Sequence, residues 1–235
     1  QNPRMVNVIE KIERLEELDT DYYMSDSEGN KIYDANGEIV DIGRFISIIA
    51  YDKSYEDEFL ALPSIESGAP DFAGIASMLS PFNSPTNERT TNGQLAFQIS
   101  NFQASRLINN KLVPARVKQG EAKILDAQTA AQPNSGWTRW FTVDIVFDTI
   151  DDLRALYDRY IGKANEYEQR SSLDSEIRRT LSEKPTIIEF DYDMIIDPTD
   201  PEMGRLVIEL DLVPATELQR IKTVVSINRS MHPQQ

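Results

Sequence analysis

Glu189, Asp191 and Asp193 alternate along one stretch of the chain, and Glu209 and Asp211 along another a short way on. Glu189, Asp191, Asp193 and Asp211 offer hard oxygen ligands of the kind that hold Mg²⁺, Mn²⁺ or Ca²⁺. A pair of such ions can drive hydrolysis without any histidine. The spacing argues against a metal site, because carboxylates two apart on a strand stand about 7 Å from one another. Metal sites usually draw ligands from several elements. A carboxylate-dependent Mg/Mn hydrolase built on these four residues therefore stands as an alternative, and the main expectation is no metal and no cofactor.

Other chemistries find few residues to use. There is no cysteine and one histidine, His232, close to the C-terminus. That removes thiolate nucleophiles, disulfides and Cys/His zinc sites, and it leaves a Ser-His-Asp triad only a tail residue to draw on. The 10 glycines are scattered, and no P-loop, dinucleotide fingerprint or G-x-S-x-G elbow is present.

The elements that must carry the carboxylates are legible in residues 186–213. On the first stretch Ile188, Phe190, Tyr192, Met194 and Ile196 share one face, opposite the three acids. On the second, Leu206, Ile208, Leu210 and Leu212 oppose Glu209 and Asp211. This period-2 alternation predicts two antiparallel strands with five carboxylates, Glu189, Asp191, Asp193, Glu209 and Asp211, on one side. Like charges facing each other across strands are destabilising. Three uses compete for such a face: a wet surface screened by salt, a surface that meets a basic neighbour or lines a conduit, and the metal site. An acidic wall repels a nucleic-acid backbone and so lets it pass.

Charge elsewhere is uneven. Residues 1–60 hold 15 acids and 6 bases, residues 61–147 hold 6 and 7, and residues 148–235 hold 18 and 11. Between Arg89 and Lys123, the cations Arg106, Lys111, Arg116 and Lys118 stand with a single acid, Glu121. Arg106, Lys111, Arg116, Lys118 and Lys123 are the candidate basic interface. A chain with acidic ends and a basic centre attracts copies of itself through unlike surfaces, and unlike surfaces meeting head to tail make rings or filaments. A net charge of −15 argues against tight nucleic-acid binding, which rests on phosphate neutralisation.

The remaining chain reads as follows. Asn2-Pro3 starts an amphipathic helix over about 3–18. Residues 25–44 form a hairpin about Asn36-Gly37, and 45–51 a buried strand. Residues 61–94 are a long irregular loop or arm, with a short helix at 71–79 capped by Asp71. Short strands lie near 95–99, 112–117 and 122–125. Residues 140–147 alternate as a strand with Phe141, Val143, Ile145 and Phe147 inward, and Thr149 with Asp152 caps a helix over 150–161. Ser171 or Ser172 caps another, carrying Leu173, Ile177 and Leu181 and closed by Pro185. A last strand or short helix follows over 216–228.

The fold class this implies is α+β, a mainly antiparallel sheet with helices packed on one face and long irregular loops. Residues 1–235 form a single domain, with a soft boundary near 126–137. At 40% hydrophobic and 27% charged residues the composition is that of a soluble globular chain, and no apolar run approaches the ~18 residues of a membrane span. The functional expectation is a structural, self-assembling subunit of a ring- or tube-like complex, such as a viral particle, and not an enzyme. It would be a homo-oligomer, with other structural subunits as further partners and the virion as its location. Besides the hydrolase, the alternative is a monomeric accessory module whose N-terminal helix or 61–94 loop recruits a protein.

Overall fold

A computed structural model describes residues 14, 22–33, 39–56, 63–91, 94–133, 135–164, 166–196 and 206–217. The first strands are β1 (Ile48–Ile49), β2 (Asp52–Glu56) and β3 (Pro63–Ser67), followed by helix α1 (Ala69–Met78) and β4 (Gln94–Leu95). Next come α2 (Asn101–Asn109), β5 (Leu112–Val113), β6 (Ala115–Lys118) and β7 (Glu121–Ile124). The C-terminal part holds α3 (Trp140–Asp158), α4 (Tyr167–Ser182), β8 (Ile187–Ile196) and β9 (Leu206–Pro214). Among the described residues the strand pairs are antiparallel except β1 with β5. The α+β class is as the sequence implied.

The expected hairpin over 25–44 is present in its arms. Tyr33 bridges to Ile39, and Val40 donates its N–H to the Ile32 carbonyl at 2.9 Å. Its Asn36-Gly37 turn lies outside the described residues. So do His232, residues 218–235 and the N-terminal helix, apart from Arg14, which is helical. The apolar run 45–51 supplies β1 and the buried Ala50 and Tyr51, but Phe45 ends a 3-10 turn and is exposed.

Residues 63–79, expected to be irregular apart from a short helix at 71–79, form β3 and α1. The side chains of Phe72 and Ile75 join Tyr51, Leu95, Val113 and Ile124 in one core cluster. Asp71 does not cap α1. The N-cap is Gly68, where a Cβ would stand 2.2 Å from the Tyr51 ring, so only glycine lets strand and helix approach this closely.

Helix α2 is new relative to the sequence reading, which expected strand up to Ile99 and assigned nothing regular to 101–109. Ser100 accepts from the Gln103 N–H at 3.2 Å, and Gln103 Oε1 accepts from the Ser100 N–H at 2.9 Å, a complete capping box. Ser100→Ala is expected to lower stability by about 0.5–2 kcal/mol, read as a lower urea midpoint with an unchanged slope.

The largest correction is α3. Residues 140–147 are not a strand and Thr149 is not a cap, because one helix runs through both. Phe141, Ile145, Thr149, Leu153 and Leu156 recur at helical spacing and are buried, which is the stripe of an amphipathic helix. Val143 is buried as well, whereas Phe147 is exposed. The Thr149 hydroxyl donates to the Ile145 carbonyl at 2.8 Å. Helix α4 appears where expected, with Leu173, Ile177 and Leu181 buried, although its N-cap is Glu166 and not Ser171 or Ser172.

Helices α3 and α4 form one face of the C-terminal layer. The inward side chains of β8 and β9 pack on Leu153, Leu156, Leu173, Ile177 and Leu181. A register irregularity between Ile187 and Glu189 turns Ile187 inward and leaves Ile188, expected on the core face, 68% exposed.

Candidate assembly surfaces

Glu189, Asp191 and Asp193 on β8 and Glu209 and Asp211 on β9 share one side of an antiparallel hairpin. Asp191 stands directly opposite Asp211, Asp193 opposite Glu209, and Glu189 opposite Val213. All five carboxylates are exposed, and among the described residues none forms an ion pair. Exposed apolar side chains fringe the acids: Ile188 and Val213 at one end, and Ile195, opposite Val207, at the other. Among the described residues β8 and β9 pair only with each other.

The other side of the hairpin is firmly held. The Tyr192 hydroxyl donates to Asp174 Oδ1 at 2.7 Å, and its ring lies 5.5 Å from the Arg178 guanidinium. Burial, reinforced by the hydrogen bond to the Asp174 carboxylate, pushes the Tyr192 hydroxyl up to about 12. The ring stacks on Phe190 at 6.5 Å. The acids thus sit on a sheet whose back is anchored to a helix pair.

As metal ligands the carboxylates do not converge. Among the described residues no group of three or more Asp, Glu or His side chains is placed to hold an ion. The alternation that shows the face also spreads its oxygens along it.

The basic residues are sorted by the register of a second hairpin. Gln119 and Gly120, both at positive φ, make the two-residue turn between β6 and β7, a conformation matched to strand twist. Arg116 then faces Lys123, Lys118 faces Glu121, and Arg89 bridges to Lys123 from the other side. Arg116, Lys123 and Arg89 therefore form one row on the face opposite the buried Ala115 and Ile124, with Arg89 exposed and Arg116 and Lys123 half-buried. Glu121 is shared by Arg89 at 3.4 Å and Lys123 at 3.6 Å. Arg116 is hydrogen-bonded to Asn101 at the start of α2. Next to Asn101, Phe102 is 70% exposed, with the Arg106 guanidinium 5.8 Å from its ring centre. Lys111 lies beyond the far end of α2, away from this row.

Sequence reasoning missed a buried polar cluster. Lys53 on β2 is 0% exposed and donates to Asp71 at 3.2 Å and to the Thr91 carbonyl at 2.6 Å. Asp71 also accepts from the Tyr51 hydroxyl at 3.1 Å and the Thr91 N–H at 2.9 Å. Burial, and then the Asp71 carboxylate, push the Tyr51 hydroxyl far up. Every polar group here is engaged within the fold, so the cluster locks β2, α1 and the segment at Thr91 together. A cleft of about 850 Å³ near it is lined by Thr90, Gln94, Gln98 and Glu121 among others.

No protein-family model matches the chain, and no curated protein matches it in sequence. Solved structures match it in fold. A chain of the six-fold symmetrised baseplate of the anti-feeding prophage has a TM-score of 0.65 at 10% identity, over 80% of this chain and 55% of that one. A chain of the contracted PVC sheath complex, from an extracellular contractile injection system, scores 0.62 at 10% identity, over 80% and 57%. The sheath tail protein of Desulfitobacterium hafniense scores 0.52 at 13% identity, over 72% and 45%. The chain thus spans about half the length of the structures it resembles, and the likeness is one of fold. Among the described residues no helix is long and apolar enough to cross a membrane.

Proposed function

We propose that this chain is a structural, self-assembling subunit of a phage-like contractile particle, built into its sheath or baseplate as part of a ring or tube. The observation that carries the reading is the fold shared over 80% of the chain with sheath and baseplate proteins of contractile injection systems. The surfaces agree with it physically. Strand edges left unpaired among the described residues are a template for pairing with another chain, and an acidic sheet with a basic one elsewhere on the same molecule favours head-to-tail contact. The acidic face either meets a neighbouring subunit or lines the conduit of the ring. On this reading the chain is not an enzyme, and its partners are its own copies and other structural subunits of the particle.

Light scattering after size exclusion, with negative-stain images of each peak, tests this at low and high salt. Rings or tubes that loosen as salt rises are expected. A monomer at every concentration and ionic strength overturns intrinsic self-assembly.

A further inference from the structure

We infer that the basic outer face of the β6–β7 hairpin is the docking surface for the acidic outer face of the β8–β9 hairpin on a second copy of the chain. This rests on the self-assembly reading above and names the surfaces that meet.

Both faces are antiparallel sheet surfaces, and both present charge in rows across the strands. One offers Arg116, Lys123 and Arg89 side by side, with Lys118 one step along. The other offers Asp191 beside Asp211 and Asp193 beside Glu209. Cross-strand neighbours in a sheet stand about 4.5–5.5 Å apart, so the two sets of rows have the same pitch and opposite sign. Within one chain the acidic rows carry their own repulsion, while Glu121 offsets part of the charge of the basic face through Arg89 and Lys123; bringing the faces together relieves the acidic rows and pairs the remaining cations.

Charge is not the whole match. The acidic rows end in the exposed side chains of Ile188 and Val213, and the basic surface borders the exposed Phe102. Apolar residues beside a charged centre give a contact affinity, while the charges set its register and association rate. Because the two faces are different parts of one molecule, the contact leaves an unused face at each end. Repeated head to tail, it propagates into a ring or filament.

The test uses two variants of the full chain. Arg116→Glu with Lys118→Glu reverses the basic face, and Asp191→Lys with Asp193→Lys reverses the acidic one. Asp191 and Asp193 are exposed and Arg116 and Lys118 half-buried, and circular dichroism and melting of each variant establish that it folds as the parent does. Each variant alone is expected to lose at least tenfold in association constant by sedimentation velocity at low salt, with a smaller loss at high salt. Mixed in equal amounts, the two are expected to associate again, because each keeps the face the other lacks. If the parent assembles and neither variant is weakened, the face pairing is wrong while self-assembly stands. If both variants are weakened and the mixture stays apart, each face contacts something other than its proposed partner, and the pairing is again overturned. A parent that is monomeric throughout removes both readings.

Discussion

Lys53→Met is expected to cost about 3–5 kcal/mol, the range for removing one partner of a buried ion pair, and to be the most damaging single change among the polar residues. The ammonium is fully enclosed and bonded to Asp71 and to the Thr91 carbonyl. Methionine fills a similar volume, so the loss comes from electrostatics and not from a cavity. Asp71 keeps its bonds to Tyr51 and the Thr91 N–H but loses its counter-charge, and the Thr91 carbonyl loses its donor. Urea denaturation reads the effect. The double variant Lys53→Met with Asp71→Leu is expected to recover much of the loss, since replacing both members of a buried pair with apolar residues is often close to neutral. A double variant as unstable as the single one would show that the cluster holds the fold through its hydrogen bonds to Tyr51 and Thr91 and not through the charge pair. No effect of the single change would contradict the burial itself.

The cluster also marks where sequence reading stops. Lys53 and Asp71 are 18 positions apart and carry no periodic signal, so nothing local links a strand lysine to an acid in the first turn of a helix. Asp71 instead invites reading as a helix cap, since acids are favoured at that end of a helix. The C-terminal hairpin was legible for the opposite reason. Its period of two runs long enough on both strands to fix faces, and the irregularity between Ile187 and Glu189 exchanges the sides of Ile187 and Ile188. Residues 141–147 show how the same signal misleads. Phe141, Val143 and Ile145 alternate as in a strand, yet Phe141 and Ile145 also begin a spacing of four that continues through Thr149 and Leu153. Only a window reaching into the following turns separates the two periods. Helix α2 had a local signal in Ser100 and Gln103, set against the mostly polar sequence after it. The basic centre was legible as composition. Its sorting into a row of Arg116, Lys123 and Arg89, with Lys111 set apart, depends on a turn and a third strand that only the fold reveals.

Ile177→Ala is expected to cost about 2–5 kcal/mol, the usual range for truncating a fully buried aliphatic side chain, and to weaken assembly with it. Ile177 is 0% exposed and sits on α4 between Leu173 and Leu181, where the helix pair meets the inner face of the hairpin. The stiff β-branched side chain fills its site, and helices fixed by their own contacts cannot close fully over the gap, so a cavity term adds to the lost transfer energy. The hairpin has no further strand to hold it among the described residues, and a two-stranded hairpin alone is marginal in water. Its order, and the alignment of the carboxylate rows, therefore depend on this packing. Ile188→Ala is the control. That isoleucine lies on the same hairpin but points outward and is largely exposed, so its truncation is expected to shift stability by less than about 0.5 kcal/mol. Thermal melts and sedimentation of both variants distinguish the roles. Ile177→Ala lowers the melting temperature and the association constant together, and Ile188→Ala lowers association alone, through the apolar fringe of the acidic face. Equal destabilisation by the two would place Ile188 in the core and undo the register from which the acidic face is built.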